Sequence, residues 1–236
     1  MMAKVYCVHL INTLGYDVLF QDVDVVWFKN PLTYFNSPAS RDFDMYFQDD
    51  GAHSARYQPY SPNSGFYYVR HNERTEFLFS VFVRMGDLIQ VGGSHQAALS
   101  SLLSEHASWR GLKVKIFGRD ALDGEDWPGG FHFHRRKAFM KDVVTGKKTP
   151  YIFHMSWTEN KENKRNFFQQ MGNWFVNPEC TGKTVAQISS KNNKTRPIRE
   201  HCCSDTPLFE CHYRDKPSMH PCKDSPPIDK TRPSFW

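Results

Sequence analysis

No run in this sequence approaches the roughly 20 consecutive apolar residues that a membrane helix needs, so no membrane span is expected in this chain. No basic stretch followed by an apolar one opens it, and no signal peptide is read from it. Neither sign of charge dominates. Thirty Lys+Arg stand against 25 Asp+Glu, and a net charge of +5 is too mild to name nucleic acid as a partner. Internal repeats, CxxC pairs and HExxH are all missing, which weakens zinc-site and metallohydrolase readings. Cysteine is nearly absent from residues 1–178, where Cys7 stands alone. Apolar material is plentiful. Hydrophobic residues are 39% and aromatics 15% of the chain, which argues for a packed core and against wholesale disorder.

The composition is uneven. Residues 179–236 hold five of the six Cys, seven of the fourteen Pro and only four aromatics. This predicts a packed domain over 1–178 and a loop-rich Cys/Pro tail over 179–236. Cys180, Cys202, Cys203, Cys211 and Cys222 lie in polar, Pro-interrupted sequence with little core to bury, so cross-links are needed. At least one disulfide among these five is expected, which implies a secretory compartment. Zinc held by Cys202, Cys203, Cys211, His212, His220 and Cys222 is the rival reading, and the weaker one. Asn193-Lys194-Thr195 is a glycosylation sequon that fits a secretory compartment.

Periodicity predicts a helix over 1–14, with Ala3, Cys7, Leu10, Ile11 and Leu14 on one face and Gly15 as its stop. Tyr16 to Gln21 reads as a short buried strand, and Val25 to Phe28 continues apolar until Asn30-Pro31. Phe43–Phe47 and Ser64–Arg70 read as strands, the second entered through the turn residues Ser61-Pro62-Asn63. One amphipathic helix is predicted over 73–90 on Phe77, Phe79, Val81, Phe82, Met85 and Leu88. A second runs from Ser94, its N-cap, to His106. Lys113–Phe117 and Tyr151–Met155 read as strands, and a charged helix follows over 158–171. Strands alternating with helices argue an α/β fold.

Asp22-Val23-Asp24 stands out. Residues two apart on an extended chain point the same way, so both carboxylates can converge. D-x-D alone is common and is usually a solvated turn. Here apolar residues flank it on both sides, in LFQDVDVVWF, and paired acids in such a setting need a positive partner. A hard divalent cation suits them, because Mg²⁺ and Mn²⁺ take oxygen ligands and accept phosphate oxygens too. The acids follow a strand, where open α/β sheets bind ligands. His154 lies inside the apolar run Ile152–Trp157. Such a residue is often a satisfied core histidine, but it can also complete a metal site beside two carboxylates. Lys161 and Lys164 follow early in the next helix, where they form either a solvated basic face or, since cations there oppose the dipole, a site for an anion such as a diphosphate.

These residues carry a resemblance. GYDVLFQDVDVVWFKNP at 15–31 resembles the metal-binding segment of the nucleotide-diphospho-sugar transferases of plant and algal Golgi, glycosyltransferase family 77, which includes arabinosyl-, xylosyl- and galactosyltransferases. Asn63-Ser64-Gly65-Phe66-Tyr67-Tyr68, His95-Gln96 and Phe153-His154-Met155-Ser156-Trp157-Thr158 continue it in order over roughly 1–176. The resemblance implies a GT-A-like, Rossmann-like mixed sheet flanked by helices. It also implies retaining transfer of a sugar from a nucleotide-diphosphate donor, with Mn²⁺ or Mg²⁺, to a glycan or glycoprotein acceptor in the Golgi lumen. By it, Asp22, Asp24 and His154 would hold the metal, with Asp22 shared with the ribose. Lys161 or Lys164 would neutralise the leaving diphosphate. Asn63 and Ser64 would line the sugar pocket, with Gln96 near the transferred sugar. The chain departs from the pattern twice. It opens at the helix just before D-x-D, so an N-terminally incomplete fold is expected, with weak nucleotide-sugar binding by this chain alone and any anchor upstream. It also has His95 where an acid often precedes the Gln. A non-catalytic remnant that binds glycan or a partner enzyme is the competing reading.

Overall fold

The computed structural model of the protein describes residues 2–51, 54–117, 147–156, 161–170, 172–191 and 197–206. They divide into two compact units, residues 2–117 with 148–156 in one and 161–206 in the other. The first unit runs α1 (Met2–Thr13), β1 (Val18–Gln21), β2 (Val25–Trp27), α2 (Leu32–Phe35), β3 (Met45–Asp49), β4 (Pro62–Val69), α3 (Glu73–Phe82), α4 (Gly86–Gly92), α5 (His95–Arg110), β5 (Val114–Phe117) and β6 (Ile152–His154).

Four strands form a mixed sheet in the order β1-β4-β3-β5. β5 lies parallel to β3, and the other two pairs are antiparallel. β2 and β6 pair antiparallel in a sheet of their own. Side-chain alternation sends the two faces of β3 and β4 into different clusters. Met45, Phe47, Tyr67 and Val69 meet Val5, Val8, Leu78, Phe79, Leu99, Leu102 and Leu103 of the helices. Tyr46, Phe66 and Tyr68 meet Tyr34, Phe35, Phe117 and Ile152. A mixed sheet flanked by helices is the α/β, GT-A-like architecture expected from the sequence. Covered on both sides, β3 is buried at every position rather than alternating.

Several expectations need correction. α1 buries Val5, Val8 and Asn12, while Tyr6, Leu10, Ile11 and Leu14 are exposed, so the face chosen on periodicity is the outer one. Asn12 anchors the inner face, donating to Tyr16 O at 3.3 Å and accepting from Thr75 Oγ1 at 3.5 Å. β1 is an edge strand with only Val18 buried. The helix expected over 73–90 is two. After Val83 N bonds Phe79 O, the next amides reach back three residues, from Arg84 to Val81 and from Met85 to Phe82. That tightening ends α3, and α4 starts at Gly86. Phe77 and Leu88 are exposed rather than core. The long α5 matches its expected cap, with Ser94 Oγ accepting from Gln96 N at 3.1 Å.

The second unit contains α6 (Lys161–Gln170), α7 (Val185–Lys191) and α8 (Ile198–Cys202). Cys180 and Cys202 form a disulfide across 22 residues and pack with Ile188, Val176 and Ile198. The expected cross-link in the Cys-rich segment is present. It uses Cys202, one of the thiols that the rival zinc reading required. Cys203 and Cys7 are free and exposed. Cys211, Cys222, His212, His220 and the sequon at Asn193 lie outside the described residues. Among the described residues no helix is long and apolar enough to cross a membrane.

Candidate active site

β1 ends at Gln21, but its pairing with β4 runs one residue further, because Asp22 N donates to Gly65 O at 2.7 Å. Two residues on, Met155 N donates to Asp24 O at 3.1 Å, at the start of the β2–β6 pair. The D-x-D segment therefore crosses from one sheet to the other, each acid tied to a different strand, with Val23 fully exposed between them. His154 enters from β6, opposite Val25 in register.

This register brings Asp22, Asp24 and His154 together. One ligand atom from each lies within 4.8 Å of the others. His154 Nε2 stands 3.3 Å from Asp24 Oδ1. Lys4, on α1, forms an ion pair with Asp22 Oδ1. Gly65 makes the approach possible. A Cβ there would lie 2.8 Å from both Asp22 Oδ2 and His154 Cε1, closer than real contacts allow. His154 is buried, and its Nδ1 lies 2.6 Å from Gln48 Oε1. The amide oxygen facing the ring is an acceptor for a hydrogen on Nδ1, and Nε2 is the ring nitrogen on the side of Asp24. A lone pair facing a carboxylate repels it unless a proton or cation lies between. Two carboxylates and an imidazole with ligand atoms within 4.8 Å of one another fit a hard or borderline divalent cation such as Mn²⁺.

The expected sugar-pocket residues gather nearby on β4 and α5. Gln96 Oε1 accepts from both Ser64 N and Ser64 Oγ at 3.0 Å. Asn63 is buried, accepting from Gly65 N at 2.7 Å and donating to Asp50 Oδ1 at 3.0 Å. His95 has no hydrogen-bond partner for either ring nitrogen among the described residues. Burial first, and nearby Lys4 second, push its pKa down to about 4, so the ring is neutral at physiological pH. Lys161 and Lys164 lie on α6, in the second unit.

Sequence reasoning missed Lys4, Gln48, Asp50 and Gly65. Only Gly65 left a signal, as a glycine inside an aromatic strand, which marks close approach of another group. Gln48 and Lys4 lie 106 and 18 residues from their partners, with no motif spacing to announce them.

The nucleotide-diphospho-sugar transferase family matches residues 1–168. The chain belongs to that family. Among curated proteins it is 27% identical over 184 residues to a UDP-galactose:fucoside alpha-3-galactosyltransferase of Dictyostelium discoideum, covering 70% of this chain and 26% of that protein. It is 37% identical over 179 residues to a beta-arabinofuranosyltransferase of Arabidopsis thaliana, covering 70% of this chain and 32% of the relative. A UDP-D-xylose:L-fucose alpha-1,3-D-xylosyltransferase of the same plant is 26% identical over 227 residues, covering 80% and 55%. The chain thus spans roughly a quarter to a half of the length of these family members. No solved structure matches it.

Proposed function

We propose that this member of the nucleotide-diphospho-sugar transferase family is a metal-dependent, retaining glycosyltransferase of the Golgi lumen. It moves a sugar from a UDP-linked donor to a glycan or glycoprotein acceptor. The observation that carries this reading is the meeting of Asp22, Asp24 and His154, with Asp22 and His154 packed against Gly65 where a Cβ would clash. The relatives' names, which specify UDP-sugars and fucoside acceptors, support the donor and acceptor classes. The disulfide supports the compartment.

Asp22, Asp24 and His154 would hold Mn²⁺ or Mg²⁺, which supplies positive charge for the diphosphate that leaves. The chain's own groups orient the donor. Gln96 presents its carbonyl to Ser64, leaving its NH₂ end to donate to a sugar hydroxyl. Asn63, locked between Gly65 N and Asp50, keeps this wall of the pocket fixed. Lys4 neutralises Asp22 while the donor is absent.

The test is Mn²⁺ titration by electron paramagnetic resonance with UDP present. Asp24→Asn is expected to weaken Mn²⁺ binding by at least about tenfold, or ~1.4 kcal/mol. Binding indifferent to Asp24→Asn would favour the non-catalytic reading. Retention is checked by the anomeric configuration of the product, which should equal that of the donor.

A further inference from the structure

We propose that Gln48 is a positioning residue for the metal centre, fixing the tautomer and ring plane of His154. This rests on the metal assignment proposed above. Gln48 is 1% exposed, and its neighbour on β3, Tyr46, packs with Phe117 and Ile152. A buried amide among such residues is costly unless it is hydrogen-bonded. Its carbonyl oxygen meets His154 Nδ1 at 2.6 Å. That contact places the hydrogen on Nδ1 and leaves Nε2 as the ligating atom, 3.3 Å from Asp24 Oδ1. An outer-shell acceptor on the second ring nitrogen raises ligand basicity and holds the ring in place.

The strand register is built for this contact. β3 pairs Phe47 with Tyr67, then jumps so that Gln48 pairs with Asn63 rather than Phe66. The jump takes Ser64, Gly65 and Phe66 out of step with β3. On its other side β4 stays in step with β1, where Phe66 pairs with Gln21 and Gly65 O takes the amide of Asp22. The irregularity falls where Gln48 stands beside His154, while the unbroken β1–β4 register sets Gly65 against Asp22. Bulges of this kind commonly re-aim side chains at active sites.

The test uses the full chain, with Mn²⁺ and UDP as probes. Gln48→Leu keeps the volume and removes the acceptor, and it is expected to weaken Mn²⁺ binding 10- to 100-fold. Gln48→Glu keeps an acceptor toward Nδ1 and is expected to bind Mn²⁺ close to wild type. A purely packing role predicts the reverse order, since leucine suits an apolar wall and a buried carboxylate does not. Long-range ¹H–¹⁵N spectra of the chain with diamagnetic Mg²⁺ and UDP present at pH 8 read the tautomer directly. Wild-type His154 should carry its hydrogen on Nδ1, and Gln48→Leu should shift it toward Nε2. A wild-type His154 with its hydrogen on Nε2 overturns the proposal whatever the variants do. Loss of Mn²⁺ in Asp24→Asn but not in Gln48→Leu sinks the Gln48 role alone. Binding unchanged by Asp24→Asn sinks the metal assignment and the Gln48 role with it.

Discussion

Gly65 has no side chain, and the meeting of Asp22 with His154 depends on that. Any Cβ would stand 2.8 Å from both partners, and neither can yield without leaving the cluster. Gly65→Ala is expected to cost about 1–3 kcal/mol by overpacking and to weaken Mn²⁺ binding at least about tenfold. Thermal melting and Mn²⁺ titration check the two halves separately. A variant that keeps full Mn²⁺ affinity would show that the clearance is unimportant. His95 makes a second residue-scale prediction. Its folded-state pKa is lowered to about 4 by burial and then by Lys4. The stability tied to its neutral ring is therefore present above about pH 6.5 and lost as pH falls toward 4. An NMR titration of the His95 ring should show a midpoint near 4. A midpoint near the ordinary value would place the ring in water and remove this account.

At the scale of elements, Asp44 joins three of them. Just before β3, it accepts from Arg74 Nε and Nη2 of α3 at 2.8 and 2.7 Å. It also accepts from Asn72 Nδ2, before α3, at 2.9 Å and from Lys113 N, before β5, at 2.9 Å. Burial pulls its pKa up, but these donors outweigh burial and hold the carboxyl below its usual range. A depressed carboxylate pKa contributes stability above the unfolded value and loses it as pH falls through the folded one. Asp44→Asn is expected to cost about 2–3 kcal/mol at pH 7, because it leaves charge-assisted donors underpaired. The deficit should shrink as pH drops below the ordinary 3.8. Urea unfolding at pH 7 and below pH 4 tests both, and a pH-independent deficit would rule out the electrostatic cause. Elements were also where sequence reading was most uneven. The cap on α5 was legible because Ser94 acts locally. The break between α3 and α4 was not, since apolar spacing continues across it and only backbone geometry ends the first helix.

At the scale of the molecule, the described residues of the second unit hold a small apolar cluster and a disulfide. Cys180–Cys202 closes a loop whose ends lie 22 residues apart, and such a bridge contributes about 3 kcal/mol through the unfolded state. Reduction is expected to expose residues 172–191 and 197–206 to protease while the cleavage pattern of the first unit stays unchanged. Simultaneous loss of both would show that the units are not independently stable.

The alternation of strands and helices, the D-x-D pair and His154 as candidates, and the cross-linked Cys-rich segment could all be read from the sequence. Periodicity, capping, residue chemistry and composition can be read within a few neighbouring positions, and the colinear motifs carried the family. Tertiary structure alone decided which face of α1 is buried, that β1 sits at an edge, and that β6 pairs with β2 outside the main sheet. It also chose Lys4, Gln48 and Gly65 as the company of the D-x-D pair. These outcomes depend on register and on contacts between residues far apart in the chain. Local sequence shows that a glutamine or a valine is there, but its partner exists only once the strands have paired and the helices have closed over them.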